Sequence, residues 1–123
     1  MNKYSFGSYL KKLRLAHNPS VTQEELAASI HRGKMTISLF EQGKNAPPQG
    51  ELLEQIIVAL SLNDDDASKL RLLSAAERFS LPNDIAEYFF SNPEIYHAIL
   101  NGMKTGKTNS DWCEVSRMFG MEK

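Results

Sequence analysis

Residues 22–44 read TQEELAASIHRGKMTISLFEQGK, and the architecture follows from how they are parsed. Thr22 with Glu25 three residues on is a capping box ahead of an apolar run, so a helix opens there. Leu26, Ala27 and Ile30 recur at helical spacing and mark its buried face. The pattern breaks at His31-Arg32-Gly33, resumes with Met35, Ile37 and Phe40, and closes at Gly43, a residue type suited to ending a helix. The spacing predicts two short helices over residues 23–42, joined by a turn of about three or four residues.

That arrangement is a helix-turn-helix, whose second helix lies in the DNA major groove. At these residues the chain resembles the Cro/repressor-type (XRE) family of bacterial and phage regulators. The strings TQEELAxxI and TIxxxEQGK, with Pro47 just beyond, carry the likeness, which runs from Phe6 to Leu62. The resemblance implies an all-α, lambda-repressor-like five-helix DNA-binding domain over residues 1–80. Residues 81–123 then form a short helical C-terminal extension for dimerisation or packing. It further implies a sequence-specific transcriptional regulator, a repressor, binding a palindromic double-stranded DNA operator as a homodimer, with no catalytic activity and no cofactor. An antitoxin that represses its own operon is a neighbouring possibility. A protein-binding module with a degenerate reading head is another, from a different class.

Carried over position by position, the resemblance makes Lys34, Met35, Ser38 and Leu39 base-facing. Gln23, Lys44 and Asn45 become phosphate-facing, with Arg32 an addition from the turn. Lys34 can donate to guanine O6 or N7 and Ser38 can bond several bases, whereas Met35 and Leu39 offer only apolar contact. So little polar readout gives sequence-dependent DNA shape a larger share of the selection. Gln23 and Lys44 have little expected structural role, which favours a working head over a degenerate one. Arg14 matches a family arginine that pairs with the glutamate of Glu-x-Gly, here Glu41, as a structural clamp; the alternative is two unrelated surface charges. Three positions depart from the family pattern: His31 stands where a glycine with positive φ is usual, Arg32 replaces a small apolar residue, and Gly33 replaces a capping Ser or Thr. Histidine tolerates the left-handed conformation better than most residues, and glycine is an acceptable if weaker N-cap.

Around this centre the chain reads as helix throughout. Phe6, Leu10 and Leu13, with Tyr9 and Ala16 alongside, predict a first amphipathic helix to about His17, ended by Asn18-Pro19-Ser20. Beyond the loop Asn45-Ala46-Pro47-Pro48, Gln49 or Gly50 opens a helix with Leu52, Leu53, Ile56, Ile57 and Leu60 on its buried face, ending at Leu62-Asn63. Asp64, Asp65 and Asp66 cap the next, with Leu70, Leu73, Ala76 and Phe79 facing inward. Leu81-Pro82 begins a short helix with Ile85, Tyr88 and Phe89 inside. Asn92-Pro93-Glu94 starts another that stops at Gly102, its cap the asparagine. After a polar loop, Ser110-Asp111 opens the last, holding Trp112, Val115 and Phe119.

Composition sets bounds. At 123 residues with 41% hydrophobic and 24% charged residues, the chain is the size of one ordinary globular domain, or a small domain with an appendage. No apolar run approaches the ~18 residues of a membrane span, so no membrane partner is expected. The start, Met1-Asn2-Lys3-Tyr4-Ser5, lacks the apolar core and cleavage site of a signal peptide, so no leader is expected. The single cysteine, Cys113, has no intramolecular partner for a disulfide, and a reducing, cytoplasmic setting is expected. Histidines 17, 31 and 97 with that cysteine offer no metal-ligand spacing. Residues 1–62 carry seven Lys/Arg against five Asp/Glu, a charge of +2; residues 63–123 carry seven against ten, or −3. So mild a basic head touches few phosphates per subunit, and affinity then requires two subunits on one site.

Six of the eleven aromatics lie between Tyr88 and Phe119. Adjacent Phe89 and Phe90 cannot share one helix face. Tyr88, Phe89, Phe90 and Trp112 are therefore expected in a two-fold dimer interface, the alternative being packing onto the chain's own fourth and fifth helices, with a protein partner for this extension a further option. Gly102 to Thr108 imitates a phosphate loop but has three residues between its glycines instead of four. Asp84, Glu87, Glu94 and His97 are not paired as acid and base.

Overall fold

Ser5 and Ser8 set the start of the first helix. The Ser5 hydroxyl accepts from the Ser8 amide at 3.1 Å and Ser8 Oγ accepts from the Ser5 amide at 3.0 Å, satisfying two amides that a helix start leaves unpaired. In the computed structural model, which describes residues 4–120, the helices are α1 (Phe6–Ala16), α2 (Gln23–Ser29), α3 (Lys34–Gln42), α4 (Glu51–Ala59), α5 (Asp64–Arg78), α6 (Asn83–Ser91), α7 (Glu94–Lys104) and α8 (Asn109–Gly120). Met1 to Lys3, where the reading about a leader begins, lie outside the described residues. The described chain is all-α, with no strand. None of its helices is long and apolar enough to cross a membrane.

The contacts divide the chain into two units, Met1–Pro82 and Asn83–Lys123. In the first, α3 packs against α2 and α1, α1 against α5, and α2 against α4. Leu10, Leu26, Ile30, Ile37, Ile56 and Leu70 are at most 1% exposed and form the centre of the core. Each such side chain contributes about 1.5–3 kcal/mol of burial. Polar ties hold α1 onto α5: the Phe6 amide donates to the Glu77 carboxylate, and Tyr9 Oη donates to Asp66 Oδ1 at 2.9 Å.

Burial first, then that hydrogen bond and the Asp66 charge, push the Tyr9 phenol up from 10.0 to about 12. The unfolded chain loses this proton near pH 10 and the folded chain near 12. The stabilisation is therefore complete below pH 10 and is lost as pH rises toward 12. An alkaline titration followed by tyrosinate absorbance is expected to show the Tyr9 phenol ionising late, together with unfolding. Asp66→Asn should lower that step; four phenols titrating alike near pH 10 would contradict it.

Gly7 permits the close packing of α1 on α3. A Cβ at this position would fall against the Phe40 carbonyl oxygen and 2.6 Å from that of Glu41, both backbone atoms that have no side-chain freedom to move aside. Gly7→Ala is expected to lower stability by about 1–3 kcal/mol in urea unfolding. An unchanged midpoint would show that α1 can stand off from α3 without loss.

Several boundaries and faces differ from the sequence reading. Asn63 is the N-cap of α5, accepting from the Asp66 amide at 2.8 Å, and the three aspartates form the first turn instead. Ala16 and Ala76 are exposed. Phe79, expected inward, is 98% exposed, because it occupies the left-handed position (φ 52°) where α5 ends and its side chain leaves the helix face. α4 ends at Ala59, before Leu62.

The second unit buries little. Its one buried residue among those described is Gly102, on which the Trp112 indole rests; a Cβ there would lie 2.8 Å from Trp112 Cζ2. Ile85 and Tyr88, expected inside, are 51% and 67% exposed, and Phe119 is 70% exposed. Three short helices have too little mutual surface to cover so many large side chains. Pro93, not Asn92, occupies the start of α7, while the Asn92 side-chain amide donates to the Tyr88 carbonyl at 2.8 Å and closes α6. α7 runs past Gly102 to Lys104, and Gly106 (φ 69°) turns the chain instead.

Candidate nucleic-acid interface

The site begins with a buried ion pair. Arg14 on α1 and Glu41 on α3 have side chains 7% and 3% exposed. Arg14 Nε donates to Glu41 Oε2 at 2.7 Å and Nη2 to Oε1 at 3.0 Å, the two-pronged geometry that favours arginine. Nη1 donates to the Val21 carbonyl at 2.9 Å. Gln23 Nε2 completes the node, donating to Glu41 Oε1 at 3.0 Å. One carboxylate thus ties α1, the start of α2 and the end of α3 together.

Gln23 therefore has a structural bond that its expected role as a phosphate contact alone did not include. Its carbonyl oxygen and second amide proton are not used in that bond, and it is half-buried. Sequence reading missed this link because residues 18 apart give no local spacing signal.

The turn between α2 and α3 wraps back on itself. The Arg32 amide donates to the Ala27 carbonyl at 2.8 Å and the His31 amide to that of Ala28 at 3.2 Å, with His31 at φ 58°. This is the left-handed helix ending usually given to glycine. Thr22 holds the other end of α2: its Oγ1 accepts from the Glu25 amide at 3.0 Å, while Glu25 Oε1 accepts from the Thr22 amide at 2.9 Å. The Thr22 amide first, and then the Thr22 side-chain hydroxyl, keep the Glu25 carboxyl below its usual value.

Ile37 and Phe40 anchor the inner face of α3, with Ile37 fully covered. On the outer face Lys34 is exposed, Met35 is 68% exposed, and Ser38 and Leu39 are half-buried. Gly33 brings no side-chain cap, and the Thr36 amide of the first turn donates to the Gly33 carbonyl at 3.0 Å. Ser38 Oγ accepts from Gln42 Nε2 at 2.7 Å, which sets exposed Gln42 beside Ser38 on the outer face of α3. The i,i+4 spacing was the available signal for this pair.

Gly43 (φ 73°) ends α3, and the Lys44 amide returns to the Leu39 carbonyl at 3.0 Å. Lys44, Asn45 and Arg32 are exposed. Just beyond, Pro47 and Pro48 are buried and Ser74 Oγ donates to the Pro48 carbonyl at 2.7 Å, so the loop that carries Lys44 is pinned to α5.

Of the expected interface aromatics, Tyr88 and Phe90 are 67% and 78% exposed, and Phe89 is half-buried with its ring edge-on to Phe90 at 5.3 Å. Trp112 has an intramolecular partner in Gly102, which its expected place in an interface did not include. The described residues hold no group of three or more His, Cys, Asp or Glu side chains able to hold a metal ion. No family model, curated protein or solved structure matches the chain.

Proposed function

We propose that α1 to α5 are a lambda-repressor-like DNA-binding head, and that the protein is a sequence-specific transcriptional regulator acting as a homodimeric repressor. The resemblance to the XRE family rests on the residues quoted above. The observation that carries the reading is the asymmetry of α3. Its inner face is sealed and its far end clamped through Glu41, while its near end presents Lys34 and Met35 to solvent. A rod fixed in this way can enter a major groove without rearranging the core.

In this reading Lys34, Met35, Ser38 and Leu39 face bases, and Arg32, Lys44, Asn45 and the unspent half of the Gln23 amide face phosphates. The three cations Arg32, Lys34 and Lys44 give a modest electrostatic contribution, so two heads on one palindrome supply the affinity. Exposed Tyr88 and Phe90 on the second unit suit burial against a second copy. Two reading helices about 34 Å apart would then occlude one face of the operator.

A second reading, a protein-binding module with a retired head, draws on the 68% exposure of apolar Met35. Titrating the full chain with random-sequence duplex at several salt concentrations separates the two. A DNA reader is expected to show weak binding that falls linearly in log affinity against log salt, and selection from a random pool then yields a palindrome. No salt-sensitive binding to any duplex would sink the regulator reading.

A further inference from the structure

We propose that Gln42 is a positioning residue that sets which bases Ser38 selects, an inference that rests on the DNA-reading role of α3. The two side chains lie one turn apart, and Gln42 Nε2 donates to Ser38 Oγ at 2.7 Å. A serine hydroxyl has one proton and two lone pairs. With a lone pair held by Gln42, the proton becomes the group that Ser38 turns toward a partner outside the helix. Ser29 on α2 shows the contrasting arrangement, its proton spent on the Glu25 carbonyl at 3.0 Å. Among the described residues, Ser38 makes no such return bond.

The direction of that proton selects a class of base. In the major groove guanine O6 and thymine O4 only accept, whereas adenine N6 and cytosine N4 only donate. Purine N7 accepts in both adenine and guanine and does not distinguish them. Ser38 keeps one free lone pair beside its proton, but accepting from Gln42 polarises the hydroxyl and strengthens it as a donor, so the keto bases, guanine and thymine, are favoured. Glutamate at position 42 is an acceptor when ionised, so the Ser38 proton would turn inward to it and the lone pairs outward. The preference would then pass to the amino bases, adenine and cytosine.

The test is selection of bound sites from a random duplex pool by the full chain and its Gln42 variants. The wild type is expected to show one position per half-site enriched for keto over amino bases by about 2- to 12-fold, the range of one exposed hydrogen bond. Gln42→Glu should move that position to amino bases, Gln42→Ala should flatten it, and Gln42→Lys, which can only donate, should retain the keto preference. The other positions should be unchanged in all four selections. Gln42 is exposed, so the variants are expected to melt with the wild type. If Gln42→Glu binds too weakly to select, a flat position in Gln42→Ala and a keto position in Gln42→Lys still carry the inference. Identical base preferences in wild type, Gln42→Ala and Gln42→Glu would overturn it while leaving the regulator reading intact. A wild type that enriches no sequence would overturn both.

Discussion

Arg14→Ala is expected to lower the unfolding free energy by about 3–5 kcal/mol, read from urea or thermal unfolding of the full chain. The magnitude follows from what stays behind. Glu41 is 3% exposed and would keep only the Gln23 amide as a partner, so a nearly naked carboxylate would remain in the core. Against a typical stability of about 5–15 kcal/mol, such a loss removes roughly a fifth or more of the margin. Glu41→Leu should be comparable, because it strands the Arg14 guanidinium. Replacing both charges, as in Arg14→Met with Glu41→Leu, is expected to lose much less than the two single changes added together, since apolar groups of similar volume leave nothing unpaired. The exposed pairs set the contrast. Arg71 with Glu54 (40% and 50% exposed) and Arg117 with Glu114 (59% and 68%) should each contribute about 0–1 kcal/mol, screened by salt. A loss under about 1 kcal/mol for Arg14→Ala would show that water reaches Glu41 and that no clamp holds α3. With a clamp, the single variants should also weaken DNA binding although neither residue faces the groove.

Why the helices are legible in the sequence while their ends are not is clear from the turns. The apolar spacing of Leu26, Ala27, Ile30, Ile37 and Phe40 is the core of the first unit, and the Thr22–Glu25 box sits where its residue types place it. Among the described residues, five helices end with a left-handed residue, at His31, Gly43, Ser61, Phe79 and Gly106, and only two of these are glycines. At Ser61 and Phe79 the return bonds, Leu62 N–H to Ile57 O at 3.1 Å and Ser80 N–H to Ala75 O at 3.0 Å, override local preference, and no residue type announces them. The candidate site divides in the same way. The exposure of Lys34 and Met35 follows from helical periodicity. The role of Gly7 and the Gln23–Glu41 bond depend on how α1, α2 and α3 meet, which periodicity within one helix does not encode. In the second unit the pattern marked apolar faces correctly as apolar but not as buried. Burial needs a facing surface, and three helices of nine to twelve residues supply little of it to one another.

Lys34→Ala and Lys44→Ala are expected to separate reading from holding. A well-placed cation on a guanine edge is worth about 1–3 kcal/mol of discrimination, and a two-fold complex counts it twice, so Lys34→Ala should weaken the best palindrome by about 2–6 kcal/mol. Random duplex should lose far less, because no base edge is matched there. Lys44→Ala removes a phosphate contact instead. It should weaken every sequence by a similar factor and reduce the slope of log affinity against log salt by about one per subunit. The contrast is sharper here than in a head rich in glutamine or arginine. Met35 and Leu39 carry no donor to replace the one that is lost. Affinities of wild type and both variants for the selected palindrome, for one with the guanine facing Lys34 replaced, and for random duplex, each at several salt concentrations, decide the matter. Replacing the guanine that Lys34 reads should weaken wild type and Lys44→Ala alike but leave Lys34→Ala almost unaffected, since the donor facing that base is already gone. If both variants instead lose equally on all three duplexes, Lys34 is a phosphate contact and specificity comes from DNA shape.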